Sequence, residues 1–238
     1  MSTRTEALPL AILAGGLATR LRPITETIPK ALVPVAGEPF LTHQLRLLSR
    51  HGLRDIVLCV GHLGEQIEAA YGDGQAHGVR LRYSYDGPRL RGTAGALQRA
   101  LPLLGDAFLV LYGDSYLEID YGAVIERFRE SAAPALMTVI ENSHGTEPSN
   151  VWFENQTIRA YNKKQPLPQM RYIDYGLSAY RAECLADHPE GDLSNLQGAL
   201  AEGGQMAGFE VTIPYHEIGS PIGLKALEDY FHQKESGL

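Results

Sequence analysis

The sequence predicts an α/β fold with a mostly parallel sheet covered by helices on both faces, and three observations point to it. Apolar runs of strand length recur at Leu8 to Ala14, Asp55 to Val60 and Ala107 to Tyr112, each the pattern of a strand buried on both faces. Helical stretches lie between them, so strand and helix alternate. The runs end at Gly15-Gly16, Gly61-His62 and Gly113-Asp114, and right-handed crossovers set such loops along one sheet edge, where α/β proteins bind ligands.

The first run carries the most information. At Gly15-Gly16 the backbone can turn sharply and no side chain keeps a ligand away. Arg20 and Arg22 follow, then Lys30 between Pro29 and Pro34. A buried strand feeding a glycine-rich, cationic loop suits phosphate: backbone N–H groups cradle oxygens and fixed cations neutralise charge. An ordinary solvated loop explains any one of these features but not their combination.

Pro39 to Leu53 reads as an amphipathic helix ending at Gly52, with Leu41, Leu45 and Leu48 on one face. Gly64 to Tyr71 is a short helix, capped by His62, and Val79 to Tyr85 a strand. Gly92-Thr93 opens a helix running to about Leu104, whose first N–H groups can meet a base or phosphate; Thr93 also reads as a simple N-cap. Asp114, at the tip of a central strand, is placed to hold Mg²⁺ beside phosphates, although many Gly-Asp pairs are only turns. Asp120 caps a helix from about Tyr121. Then come strands at Leu136 to Ile140, Val151 to Phe153, Thr157 to Tyr161 and Tyr172 to Ala179. A helix from Asp192 to Gly203, a strand from Ala207 to Tyr215 and a helix from Pro221 to about Gln233 complete the reading.

Composition excludes several classes. A net charge of −7 without a basic block argues against a nucleic-acid surface. No apolar run approaches the ~20 residues that cross a membrane. The N-terminal run continues into the glycine loop, which a signal peptide would remove. Cys59 and Cys184 sit in apolar stretches, as core residues of a reducing cytosol do, so a cytoplasmic location is expected. The G-x-x-x-x-G-K-[ST] of a P-loop kinase is absent, and the TRLRP…PK run does not suit a dinucleotide-binding fingerprint.

The stretch LAGG-x-x-TRL-x-P followed by PKALVPVAGEPF resembles the N-terminal signature of the sugar-1-phosphate nucleotidyltransferases. Gly92 to Leu97, Gly113-Asp114, Ile158 to Lys164, Tyr172 to Leu177 and Glu217 to Pro221 follow in that family's order. The resemblance implies a Rossmann-like, GT-A-like three-layer α/β/α fold with a mostly parallel mixed sheet. It implies transfer of a nucleoside monophosphate from an NTP to a sugar 1-phosphate, with release of pyrophosphate. It assigns Ala14, Gly15, Gly16, Gly92 and Thr93 to the nucleotide, and Asn150, Lys164, Asp174 and Gly176 to the sugar phosphate. Arg20, Lys30 and Asp114 become catalytic, with Arg20 facing the leaving pyrophosphate, Lys30 the α-phosphate and Lys164 the attacking phosphate. Asp114 and Glu217 become the Mg²⁺ ligands. The expected organisation is one domain over 1–238, with a nucleotide part to about 134, a sugar-phosphate part over 135–220 and a terminal helix over 221–234.

Departures from the family pattern mark where this chain differs. Ala18 replaces a glycine, so the loop there is expected to shift or turn right-handed. Asn150 stands for glycine, Lys163 for a sugar-binding glutamate, Asp174 for asparagine and Glu217 for aspartate. Ala18, Asn150, Lys163 and Glu217 support a rival reading, a nucleotide-sugar sensor that binds without turnover; Arg20, Lys30 and Asp114 favour the enzyme. The short form resembles heptose 1-phosphate guanylyltransferases and muramate 1-phosphate uridylyltransferases. Overall resemblance points to GTP and a manno-configured heptose, D-glycero-D-manno-heptose 1-phosphate. Uridylyl, thymidylyl and cytidylyl transfer to another sugar or polyol phosphate stay open, as does a homo-oligomer.

Overall fold

In the computed structural model, strand β1 (Leu10–Leu13) and the glycine loop lead through three single-turn 3-10 segments to a short hairpin, β2 (Pro34–Val35) and β3 (Glu38–Pro39). Residues 7–143, 145, 148–186, 188 and 190–235 are described; the basic and polar head at 1–6 lies outside them. Helix α1 (Phe40–Arg50), strand β4 (Asp55–Val60), helix α2 (Gly64–Tyr71) and strand β5 (Arg80–Tyr85) follow. Then come α3 (Gly92–Leu104), β6 (Ala107–Tyr112), β7 (Ser115–Tyr116), α4 (Tyr121–Glu130) and β8 (Ala135–Glu141). The remaining elements are β9 (Val151–Glu154), β10 (Thr157–Tyr161), β11 (Tyr172–Arg181), α5 (Glu183–Ala186), α6 (Leu193–Glu202), β12 (Met206–Glu210), β13 (His216–Glu217) and α7 (Pro221–Glu235).

One nine-stranded sheet, in the order β5-β4-β1-β6-β11-β8-β12-β10-β9, runs through both halves of the chain. Its first four strands are parallel, which turns the loops after β1, β4, β5 and β6 to one edge. Beyond them the sheet is less parallel than the sequence suggests. Strand β11 runs antiparallel to both β6 and β8, and only β12 returns parallel to β8.

Both sheet faces are buried, as the continuous apolar runs require. Leu10, Ile12, Leu58 and Leu111 join Leu41, Leu45 and Leu48 of α1 in one core cluster. Ala11, Val57, Cys59 and Val110 join Leu97 of α3 and Leu196 and Leu200 of α6 in another. Both cysteines are free thiols. A third cluster docks Leu227 and Phe231 of α7 against Val35, Phe40 and Leu47. The last helix is thereby fixed to the N-terminal part, which matters for the site.

Asp120 and Asp192 cap α4 and α6, accepting from Ala123 N–H at 3.0 Å and Ser194 N–H at 2.9 Å. His62 does not cap α2. That helix starts from Leu63 in a left-handed conformation without a side-chain cap. Strand β12 stops at Glu210 rather than Tyr215; Pro214 lacks the N–H a continuing ladder needs. The freed segment crosses to β13, which pairs antiparallel with β7.

Candidate active site

Two carboxylates far apart in sequence meet at the sheet edge. Asp114 follows β6 through Gly113, where a Cβ would collide with the Leu13 carbonyl as β1 ends beside it. Glu217 lies in β13, opposite Ser115 of β7, and Ile218 N–H donates to Asp114 O at 2.9 Å. This two-stranded ribbon holds the two acids side by side. Glu217 is pinned further: its Oε2 accepts from Gly219 N–H at 2.8 Å and its Oε1 from the Ser220 hydroxyl at 3.2 Å.

Gly219 marks the focus of the site. A Cβ there would stand 3.0 Å from Asp114 Oδ2, 2.8 Å from Arg20 Nη2 and in collision with Glu217 Oε2. Lys30 reaches in from the turn after Pro29, its Nζ 2.8 Å from Asp114 Oδ2. Among the described residues no group of three or more His, Cys, Asp or Glu side chains converges to enclose a metal. Two hard oxygen donors converging on one point, Asp114 Oδ2 and Glu217 Oε2, nonetheless suit Mg²⁺, which keeps several waters and takes other oxygens from substrate phosphates.

Two clefts flank this point and share Tyr112 and Asp114. One, of about 220 Å³, is lined by Ala14, Gly15, Gly16, Lys30, Gly92, Thr93 and Asp114 among others. The second, of about 290 Å³, is lined by Arg20, Asn150, Asp174, Gly176 and Glu217 with Lys163, Tyr175 and Tyr215. Either alone falls below the roughly 300–1,000 Å³ of a typical ligand pocket; joined at Asp114 they reach it. Lys164 lines neither cleft. Its described bond is a backbone N–H donated to Asn162 Oδ1, and the residue is exposed.

The glycine loop is left-handed at Ala18, against the expected right-handed turn. Ala18 has φ 48° and ψ 45°, with its carbonyl accepting from the Thr25 hydroxyl at 2.8 Å and Leu21 N–H at 3.0 Å. Gly15 is required by a close approach: a Cβ would lie 3.0 Å from Gly61 N and 3.3 Å from Val60 C. The opening of α3 is put to structural use. Ala94 N–H donates to Gly191 O at 2.8 Å, and Thr93 Oγ1 accepts from Leu193 N–H at 2.7 Å at the start of α6. A Cβ at Gly92 would collide with the Gly191 carbonyl.

In the second cleft Asp174 is the centre of a network. Its Oδ1 accepts from Gly176 N–H and its Oδ2 from the Tyr161 hydroxyl, both at 3.1 Å, while Asp174 N–H donates to Asn150 Oδ1 at 3.0 Å. Burial raises its carboxyl pKa; the Lys163 charge, Gly176 N–H and the Tyr161 and Tyr112 hydroxyls oppose the rise. The Lys163 ammonium lies 5.3 Å from the Tyr112 ring centroid and 5.7 Å from that of Tyr161. Sequence reasoning passed over Lys163 as a binding group and missed Asp86 altogether. The signal for Asp86 was present, a carboxylate after a parallel strand and before Gly87, the same pattern that singled out Asp114.

Known proteins share this architecture. The chain is 32% identical to a UTP–glucose-1-phosphate uridylyltransferase of Synechocystis over 79% of this chain and 53% of the relative. It is 45% identical to an N-acetylmuramate α-1-phosphate uridylyltransferase of Neisseria meningitidis over 48% of this chain and 50% of that one. It is 35% identical to a D-glycero-α-D-manno-heptose 1-phosphate guanylyltransferase of Campylobacter jejuni over 46% and 48% respectively. The chain thus spans about half the length of these relatives. HddC from Yersinia pseudotuberculosis, solved with GMP-PN, has the same fold, with a TM-score of 0.80 at 22% identity over 94% of this chain and 99% of that one. Among the described residues no helix is long and apolar enough to cross a membrane. The Nucleotidyl transferase family model matches residues 10–152, more than half of the chain, and the chain belongs to that family.

Proposed function

We propose that this chain transfers a nucleoside monophosphate from an NTP to a sugar 1-phosphate, releasing pyrophosphate and forming a nucleoside diphosphate sugar. The meeting of two clefts at Asp114, with Arg20, Lys30 and Lys163 around the junction, carries this reading. Two polyanions must meet at one phosphorus, so the barrier is charge repulsion first and alignment second. The sugar phosphate oxygen attacks the α-phosphorus in line, and the bond to the bridging oxygen of pyrophosphate breaks. No covalent nucleophile is required.

Lys30 faces the α-phosphate and Arg20 the leaving pyrophosphate in this reading. Lys163 and Lys164 share one turn and serve the attacking phosphate, Lys163 from within the cleft. Ala14, Gly15, Gly16, Gly92 and Thr93 border the nucleotide; Asn150, Asp174 and Gly176 border the sugar. Asp114 and Glu217 would hold Mg²⁺, which when bound supplies charge neutralisation between the facing phosphates. The nucleotide part is the stretch to about residue 134 and the sugar part 135–220. The leading substrate pair is GTP with D-glycero-D-manno-heptose 1-phosphate, supported by the likeness to the Campylobacter guanylyltransferase. The test crosses four NTPs with a panel of sugar 1-phosphates and reads product mass. One pair should yield its nucleotide sugar; no product from any pair, with no NTP binding, overturns the reading.

A further inference from the structure

A polar side chain buried within an apolar helix face is costly unless its hydrogen bonds are made. Gln44 is 1% exposed, in a stripe of α1 that otherwise buries Phe40, Leu41, Leu45, Leu47 and Leu48. Its amide is half used. Nε2 donates to the Ser115 carbonyl at 2.7 Å, while among the described residues Oε1 is buried without a partner. A methionine of similar volume would fill the place without stranding an oxygen. What the amide supplies and methionine cannot is a donor aimed at one carbonyl.

That carbonyl belongs to the strand that follows Asp114. Strand β7 is two residues long and forms a two-stranded sheet with β13. In an antiparallel pair, opposed residues alternate between exchanging backbone bonds and turning them away from the partner. Ile218 N–H donates to Asp114 O, so Asp114 and Ile218 are a bonded pair. The next pair, Ser115 and Glu217, therefore turns its backbone groups outward, and the ribbon itself leaves the Ser115 carbonyl without a donor. Ser115 is buried, and Gln44 supplies the donor. Helix α1 is a firm base for it: Phe40 and Leu47 of the same helix pack in one cluster with Tyr116 and Ile218 at the ribbon.

We propose that Gln44 is a positioning residue for the acid pair: by holding the peptide after Asp114, it sets the Asp114 carboxylate against that of Glu217. This rests on the reading that the two acids hold a divalent cation. Gln44 acts through the backbone and not on metal or substrate. Asp114 is otherwise fixed at its carbonyl by Ile218 N–H and at its carboxylate by Lys30. Without the Gln44 donor the Ser115 peptide is free to turn, and the angle at which β7 presents Asp114 is no longer set. Groups one step behind a metal ligand typically change metal affinity or activity by roughly 10- to 100-fold when removed.

The test is titration with Mn²⁺ alone, read by the EPR signal of the free ion, together with thermal melts and pyrophosphate release. Gln44→Met should bind Mn²⁺ roughly 10- to 100-fold more weakly than wild type, while its Tm stays within about 4 °C. In a Glu217→Gln background, where the pair is already broken, Gln44→Met should lower pyrophosphate release little further, because residues that act as a unit are non-additive. A residue that serves stability alone would lower Tm in both backgrounds and leave Mn²⁺ affinity where it was. Equal Mn²⁺ affinity in wild type and Gln44→Met, losses that multiply in the double variant, or no Mn²⁺ binding by wild type overturns the assignment. If Gln44→Met does not fold, Gln44→Leu takes its place; failure of both to fold makes Gln44 a residue of the core and also overturns it. Mn²⁺ affinity that depends on Gln44, without pyrophosphate release from any NTP and sugar phosphate, would sink the transfer reading and leave this assignment standing. Release unaffected by Gln44→Met would do the reverse.

Discussion

Replacing Ala18 by glycine should stabilise the protein. Ala18 sits at φ 48° and ψ 45°, a left-handed conformation that costs an L-residue roughly 1–2 kcal/mol. Two bonds to its carbonyl, from Thr25 and Leu21, hold the backbone there whatever the side chain. Glycine removes the strain but gives the unfolded chain more freedom, which returns about 0.4–1 kcal/mol. The difference leaves a gain of about 0.5–1 kcal/mol. For a chain of this length that corresponds to a rise in Tm of about 1–4 °C. Calorimetric or urea melts of Ala18→Gly beside wild type measure it. Ala18→Val should move the other way, since a β-branched residue tolerates this conformation worse. An Ala18→Gly protein melting at or below wild type would refute the reasoning.

Further predictions concern the site and its supports. Gly219→Ala drives a methyl between Asp114, Glu217 and Arg20, so NTP turnover should fall by roughly 100-fold or more while the melting curve barely moves; unchanged turnover would show that the acids do not work as a pair. Thr93→Val removes the acceptor for Leu193 N–H and should cost about 1 kcal/mol of stability; an unchanged melting curve would contradict that structural role. His216 packs against Tyr230 with ring centroids 4.3 Å apart and tilted by 30°, and burial lowers its pKa below the ordinary 6.5, against the raising pull of Glu118. Its stabilising contribution is therefore full above pH 6.5 and lost as pH falls through the lower folded value. In His216→Phe the Tm-versus-pH curve should be flatter over that acidic stretch, and an unchanged slope would contradict the assignment.

Much of the fold was legible because local signals agreed with the tertiary outcome. Asp55 to Val60, Gly64 to Tyr71, Ala107 to Tyr112 and Thr157 to Tyr161 end in the structure where composition and turn residues end them. The ribbon of β7 and β13 was not legible. Two-residue strands carry no periodicity, yet this pair is what sets Asp114 beside Glu217. The reversed direction of β11 within the mixed sheet also escaped, since a buried strand reads alike in either direction. Within the site, Gly92 was legible as a special position but not for its reason. Its neighbour is the Gly191 backbone, a contact across about a hundred residues of chain. Lys163 and Lys164 cannot be told apart by sequence; their different reach follows from the turn held by Asn162.

The most direct test of the site is pyrophosphate release with Mg²⁺ by wild type, Asp114→Asn, Glu217→Gln and the double variant, using the substrate pair that turns over fastest. Groups that act as a unit are non-additive, so each single variant should lose roughly 100- to 1,000-fold and the double little more. Multiplying losses, or a Glu217→Gln protein as active as wild type, would contradict a shared role for the two acids.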